Sequence, residues 1–80
     1  LVNYTLLIDG VSAGFYFKEL GPAATKVSCR SRGAFPIDRF VSRWGGGGHP
    51  NAAGVRLDLP LSEAVDTLVP AALEALEERA

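Results

Sequence analysis

Thr25-Lys26-Val27-Ser28-Cys29-Arg30-Ser31 (TKVSCRS) alternates polar and apolar side chains without a break. Side chains two apart on an extended chain share a face. Val27 and Cys29 are therefore expected to point into a core, and Ser28, Arg30 and Arg32 to point the other way. The preceding stretch, Val11 to Glu19 (VSAGFYFKE), has the same period, with Ala13, Phe15 and Phe17 on one side and Tyr16 and Lys18 on the other. Leu20-Gly21-Pro22-Ala23-Ala24 between them is a turn or loop, so the two strands are expected to pair as an antiparallel hairpin.

Working outward, Pro36 suits the first position of a helix, where its missing N–H has no intrahelical partner. Ile37, Phe40, Val41 and Trp44 then follow at i, i+3, i+4 and i+7, a one-sided apolar stripe. That spacing makes Phe40 and Trp44 core residues rather than platforms for stacking bases, and Gly45 is a good helix stop. Ala52 to Asp58 (AAGVRLD) reads as a third strand. Leu61 to Arg79 reads as helical, with Val65, Leu68, Val69, Ala72, Leu73 and Leu76 as its buried stripe, and either a kink or a new helix at Pro70. Tyr4-Thr5-Leu6-Leu7-Ile8 followed by Asp9-Gly10 reads locally as a strand entering a tight hairpin. The expected architecture is α/β (α+β): a small, mostly antiparallel three-stranded sheet with helices packed on one face and a site on the other, residues 1–80 forming one domain.

Eighty residues with nearly half apolar composition and a fifth charged describe a globular chain. No apolar stretch is long enough to span a bilayer, and the start has no secretion-signal pattern. A single cysteine excludes an internal disulfide framework and fits a reducing, cytoplasmic compartment. The first residue is Leu1 rather than methionine, which reads as a domain excised from a longer protein. The net charge of −1 argues against a general polyanion binder, but the distribution is uneven. Lys26, Arg30, Arg32, Arg39, Arg43 and Arg56 face only Asp38 between positions 26 and 56, a local charge of +5, while the remainder carries −6. A basic patch on a near-neutral domain suits a small anionic ligand or a short strand better than a long duplex.

The positive segment contains Gly45-Gly46-Gly47-Gly48-His49-Pro50-Asn51-Ala52-Ala53-Gly54 (GGGGHPNAAG). Consecutive glycines are costly in backbone entropy, and a chain that keeps them is expected to present bare backbone N–H groups to a phosphate or other anion. A plain flexible connection is the simpler reading of a glycine run, but it has no need of the His-Pro-Asn sequel. No Gly-Lys-Ser/Thr ends the run, so it is not a P-loop. It leaves a helix and enters a strand, so it is not a dinucleotide fingerprint either. His49, the only histidine, has no neighbouring acid to orient it as a base and no second histidine to share a metal. It reads as a hydrogen-bond donor to phosphate. Arg30 and Arg32 read as phosphate partners, although charges on an edge strand also discourage aggregation. Cys29 reads as inert packing.

At KVSCRSR (Lys26 to Arg32) followed by GGGGHPNAAG, the chain resembles the C-terminal, DHH-associated domain of DHH phosphoesterases. The bacterial oligoribonuclease (nanoRNase) and 3′-phosphoadenosine-5′-phosphate phosphatase group is the type it matches best. The resemblance extends over essentially all 80 residues. It implies a two-domain hydrolase with manganese in an N-terminal Asp-His-His domain, and a small C-terminal domain that closes over the cleft and grips substrate. This chain itself would supply no catalytic residue, no metal ligand and no cofactor. The resemblance also implies that Leu1 to Ile8 ends a helix, against the local strand reading. Carried onto this sequence, Arg30 and Arg32 would pair with phosphate or stack near a base. Gly46, Gly47 and Gly48 would let substrate approach the backbone, His49 would hydrogen-bond a phosphate, and Asn51 would bind substrate or fix the loop. Cys29 departs from the larger aliphatic residue usual there, which touches packing only. The implied partners are short RNA or a phosphorylated nucleotide and the N-terminal DHH domain of a parent that can be a homodimer, with no membrane involved. Two other readings stay open. One is a single-stranded nucleic-acid-binding module as in RecJ-like exonucleases or the C-terminal part of alanyl-tRNA synthetases. The other is the substrate-binding domain of a cyclic dinucleotide phosphodiesterase.

Overall fold

The computed structural model describes residues 2–8, 13–33 and 35–79. Five strands and two helices follow in the order β1 (Asn3–Ile8), β2 (Ala13–Gly21), β3 (Ala24–Ser31), α1 (Ile37–Ser42), β4 (Gly47–His49), β5 (Ala52–Leu57) and α2 (Leu61–Arg79). The strands form one sheet in the order β1-β2-β3-β5-β4, with every neighbouring pair antiparallel. The fold is therefore α+β, as the alternating stretches imply, with β3 at the centre of the sheet. The expected three strands are joined by two more at the edges.

Both additions have a physical explanation. The segment before Asp9 is a strand and does not end a helix: Tyr4 lies opposite Phe17 and Leu6 opposite Phe15, and the Tyr4 and Phe17 rings sit 5.8 Å apart. The local alternation of polar and apolar residues outweighs the expectation taken from the resemblance. The turn expected at Asp9-Gly10, and the first two residues expected in the next strand, lie outside the described residues. The other addition, β4, is built of the last two glycines of the run and His49, which no propensity marks as a strand. It exists because Pro50-Asn51 makes a tight turn that folds these residues back on β5.

One face of the sheet is buried. Ala13, Phe15 and Phe17 of β2, Val27 and Cys29 of β3, and Val55 and Leu57 of β5 all point to it and pack with the helices. From α1 the core receives Ile37, Phe40 and Val41. The aromatic rings of Phe15, Phe35, Phe40 and Trp44 meet there at 5.1–6.0 Å, the first and last pairs edge to face. Pro36 sits just before the helix, with extended backbone (ψ 90°), rather than at its first position. Thr25 at the start of β3 is fully buried, and its hydroxyl donates to the Leu59 carbonyl at 3.0 Å.

α2 runs unbroken through Pro70, which lies on its exposed side. Its buried line is Ala64, Leu68, Ala72 and Ala75. This is rotated from the expected stripe: Leu73 is exposed, and Val65, Val69 and Leu76 only flank the contact. Large apolar residues dominate a periodicity count, yet the closest approach of a helix to a sheet is made where side chains are smallest. Among the described residues no helix is long and apolar enough to cross a membrane.

Cys29 is the buried centre of β3. Burial pushes its thiol from 9.0 up to about 12, because the apolar surroundings penalise the thiolate. Below pH 9 the thiol is protonated in both folded and unfolded chains. As pH rises from 9 towards 12, the unfolded chain loses that proton first, so stability falls across that window. The expected outcome is a stability advantage of the native protein over Cys29→Ala that is constant below pH 9 and shrinks above it, measured by urea unfolding of both proteins across pH.

Candidate functional site

Opposite the core, the other face of the sheet is bare of helices. Cross-strand partners share a face, so the register defines what it displays. One row reads Leu7, Gly14, Arg30, Ala52 and His49; the next reads Thr5, Tyr16, Ser28, Gly54 and Gly47; the third reads Asn3, Lys18, Lys26 and Arg56. Among the described strand residues this open face carries four cations, Lys18, Lys26, Arg30 and Arg56, and no carboxylate. The one ion pair touching it among the described residues is the exposed contact of Arg56 Nε with Asp58 at 3.6 Å.

Arg30 and His49 stand on either side of Ala52, on strands separated by β5. Their backbones are two strand spacings apart, roughly 9.5 Å. Both side chains are exposed, and Ala52 between them is too short to intrude. The register therefore sets the two exposed side chains on the same face with only a small residue between them. Arg32 lies one residue past the end of β3, so strand parity no longer governs it. It still borders the same hollow as Arg30, of about 320 Å³, with Leu7 and Asn51.

The four glycines divide by role. Gly45 takes φ +84° and closes α1: its N–H donates to the Ser42 carbonyl at 3.1 Å, and the Gly46 N–H donates to Val41 at 3.0 Å. This is the Schellman close of a helix. A Cβ on Gly46 would lie 2.5 Å from the Gly54 carbonyl oxygen, and one on Gly48 2.6 Å from that of Ala52. Packing against β5 thus requires glycine at both positions. A Cβ would meet open space at Gly45 and at Gly47, and of these two only Gly45 has the positive φ that strains a side chain. The expected cradle of N–H groups is smaller than the run suggests, since Gly45 and Gly46 spend theirs on the helix.

Asn51 faces inward. Its side-chain amide donates to the Ser31 hydroxyl at 3.2 Å and to the Gly33 carbonyl at 3.4 Å. Its own carbonyl accepts from the Ser31 N–H at 3.1 Å, while the neighbouring Pro50 carbonyl accepts from Ile37 N–H at 2.9 Å. Ser31 is buried. Its proton goes to the Phe35 carbonyl at 2.7 Å, with the Pro50 carbonyl 3.2 Å away as a second acceptor. Asn51 therefore fixes the loop, and Arg30, Arg32 and His49 all flank residues of this knot.

Three residues of the open face are not among the candidate site residues of the sequence, although Lys26 and Arg56 belong to its basic segment. Tyr16 is 40% exposed at its middle, whereas the Phe40 and Trp44 rings are packed as expected. Lys26 and Arg56 line a hollow of about 490 Å³ with Gly45, Gly46 and Gly47. Strand parity with Arg30 marks Lys26 in the sequence, but the alignment of Arg56 with it depends on the β3–β5 register.

Substitutions separate these roles. Gly47→Ala is expected to leave the unfolding midpoint nearly unchanged, whereas Gly46→Ala and Gly48→Ala each cost about 1–3 kcal/mol because backbone must move. Asn51→Ala is expected to cost on the order of 1–3 kcal/mol by leaving buried polar groups short of partners. Urea denaturation of the four variants checks the ranking.

The family model for the DHHA1 domain matches residues 1–79. No curated protein matches the chain. A match over nearly the whole length agrees with the basic central strand, the glycine run and its His-Pro-Asn turn, and the chain belongs to the DHHA1 (DHH-associated) domain family.

Proposed function

We propose that this domain grips the phosphate of short RNA, or of a 3′,5′-bisphosphorylated nucleoside, for hydrolysis by a DHH domain preceding it in the same protein. The observation that carries this reading is the placement of Arg30 and His49 across Ala52 on a face without carboxylates among its described strand residues. Arginine holds phosphate through two parallel hydrogen bonds. Gly47 beside them offers backbone that a ligand can approach closely. DHHA1 domains accompany DHH-family phosphoesterases, which supports the class of substrate and reaction.

In that reading the domain contributes orientation and charge neutralisation rather than bond making. Manganese in such enzymes supplies an activated water. In that reading the metal's ligands belong to the DHH domain, and no metal step is assigned to this chain. A cytoplasmic setting belongs to the same reading.

An amide NMR titration of the chain with a 5′-phosphorylated diribonucleotide tests it. Saturable shifts are expected at Arg30, Arg32, Gly47 and His49. Arg30→Ala should weaken binding about ten- to hundredfold, the loss of a hydrogen bond to a charged partner. No shift at these amides up to millimolar ligand would overturn the proposal.

A further inference from the structure

The open face carries more positive charge than one phosphate needs, and the surplus is grouped. Lys18, Lys26 and Arg56 are cross-strand neighbours in a single row, all exposed. Arg30 and Lys26 lie four residues apart on β3, which puts this row about 13 Å from the Arg30–His49 row. Lys26 and Arg56 also face the hollow whose far wall is Gly45, Gly46 and Gly47. Asp58 offsets Arg56 only weakly, since an exposed pair at 3.6 Å contributes little.

Tyr16 stands between the two cationic rows. It lies opposite Ser28, whose other neighbour is Gly54, and it is 40% exposed. A hollow of about 450 Å³ opens beside it, bounded by Thr5, Leu7, Ser28 and Arg30. An exposed aromatic ring flanked by cations is how sheets hold unpaired bases while tracking their phosphates.

We propose that Lys18, Lys26 and Arg56 form a second phosphate site, and that the ligand of this face is a single-stranded oligonucleotide laid along β3. One phosphate sits at Arg30 and His49, a base stacks on Tyr16, and a later phosphate reaches Lys26 and Arg56. The inference rests on the phosphate-binding reading above and narrows it. The two phosphates of a bisphosphorylated nucleoside flank a single sugar and fall well short of the distance between the rows. A ligand of about three or more nucleotides is required to fill both.

Binding of 5′-phosphorylated oligoriboadenylates of two, three, four and six nucleotides to the 80-residue chain, followed by calorimetry at several salt concentrations, tests this. Affinity is expected to rise at least about tenfold from the dinucleotide to the tetranucleotide, through one stacked base and the added phosphate interactions. The double variant Lys26→Ala/Arg56→Ala should flatten that rise and reduce the salt slope for the tetranucleotide by about 0.7, because one phosphate of the single strand is no longer neutralised. Tyr16→Ala should flatten it in part without changing the salt slope. All replaced side chains are exposed, and retention of the unfolding midpoint checks that the variants fold. Dinucleotide binding with no gain from added length would overturn this inference and leave the phosphate-binding reading standing. A gain that survives Lys26→Ala/Arg56→Ala would also overturn it. Failure of every ligand to bind would overturn both.

Discussion

The turn Pro50-Asn51 is the joint on which this domain depends. Its two carbonyls and one side-chain amide meet Ser31 at the end of the central strand and Ile37 at the start of α1. A loop, a helix start and a strand end are thereby fixed to one another by a handful of hydrogen bonds around the buried Ser31 hydroxyl. Shielding matters because an intramolecular bond competes poorly with solvent unless its groups are desolvated, and a desolvated group left unpaired is costly. No described buried side-chain N or O atom lacks a partner, so the joint is complete.

Its position ties the residues of the proposed site to the framework of the fold. Arg30 and Arg32 bracket Ser31, and His49 precedes Pro50. The side chains that the proposed function offers to a ligand are thus each one peptide bond from a residue that is held in place. Such an arrangement keeps exposed, entropically expensive side chains near their working geometry without using up their own hydrogen-bonding groups. Binding then orders less of the chain.

The glycine run follows the same logic. Its first member closes a helix, its second and fourth admit the neighbouring strand, and its third remains open. A stretch that looks like a flexible ligand loop is in large part a packing solution. It lets a short edge strand lie against β5 and brings His49 into the row of Arg30. The charge asymmetry of the chain is resolved in the same way. Cations of three strands collect on the uncovered side of the sheet, while the apolar residues between them bury Phe15, Phe17 and Val27 beneath α1 and α2.

The inward and outward sides of β2 and β3, the existence of helices after Pro36 and from Leu61, and the presence of a basic patch were legible in the sequence. They depend on periodicity, on local steric preferences and on counting charge, all of which are properties of neighbours along the chain. The family was legible too, because the glycine run with His-Pro-Asn-Ala-Ala-Gly is a dense local motif. Other features required the folded protein. β4 is a strand only because a tight turn sets it against β5, and α2 buries Ala64, Ala72 and Ala75 beside Leu68 while Leu73 stays exposed. Asn51 turned inward because Ser31 and Gly33, distant in sequence, supply its partners. The meeting of Arg30 with His49, and of Lys26 with Arg56, is set by which strands pair and in what register. No local preference encodes that register: it is decided when three separate strands bury their apolar faces at once, and the polar faces are carried into line with them.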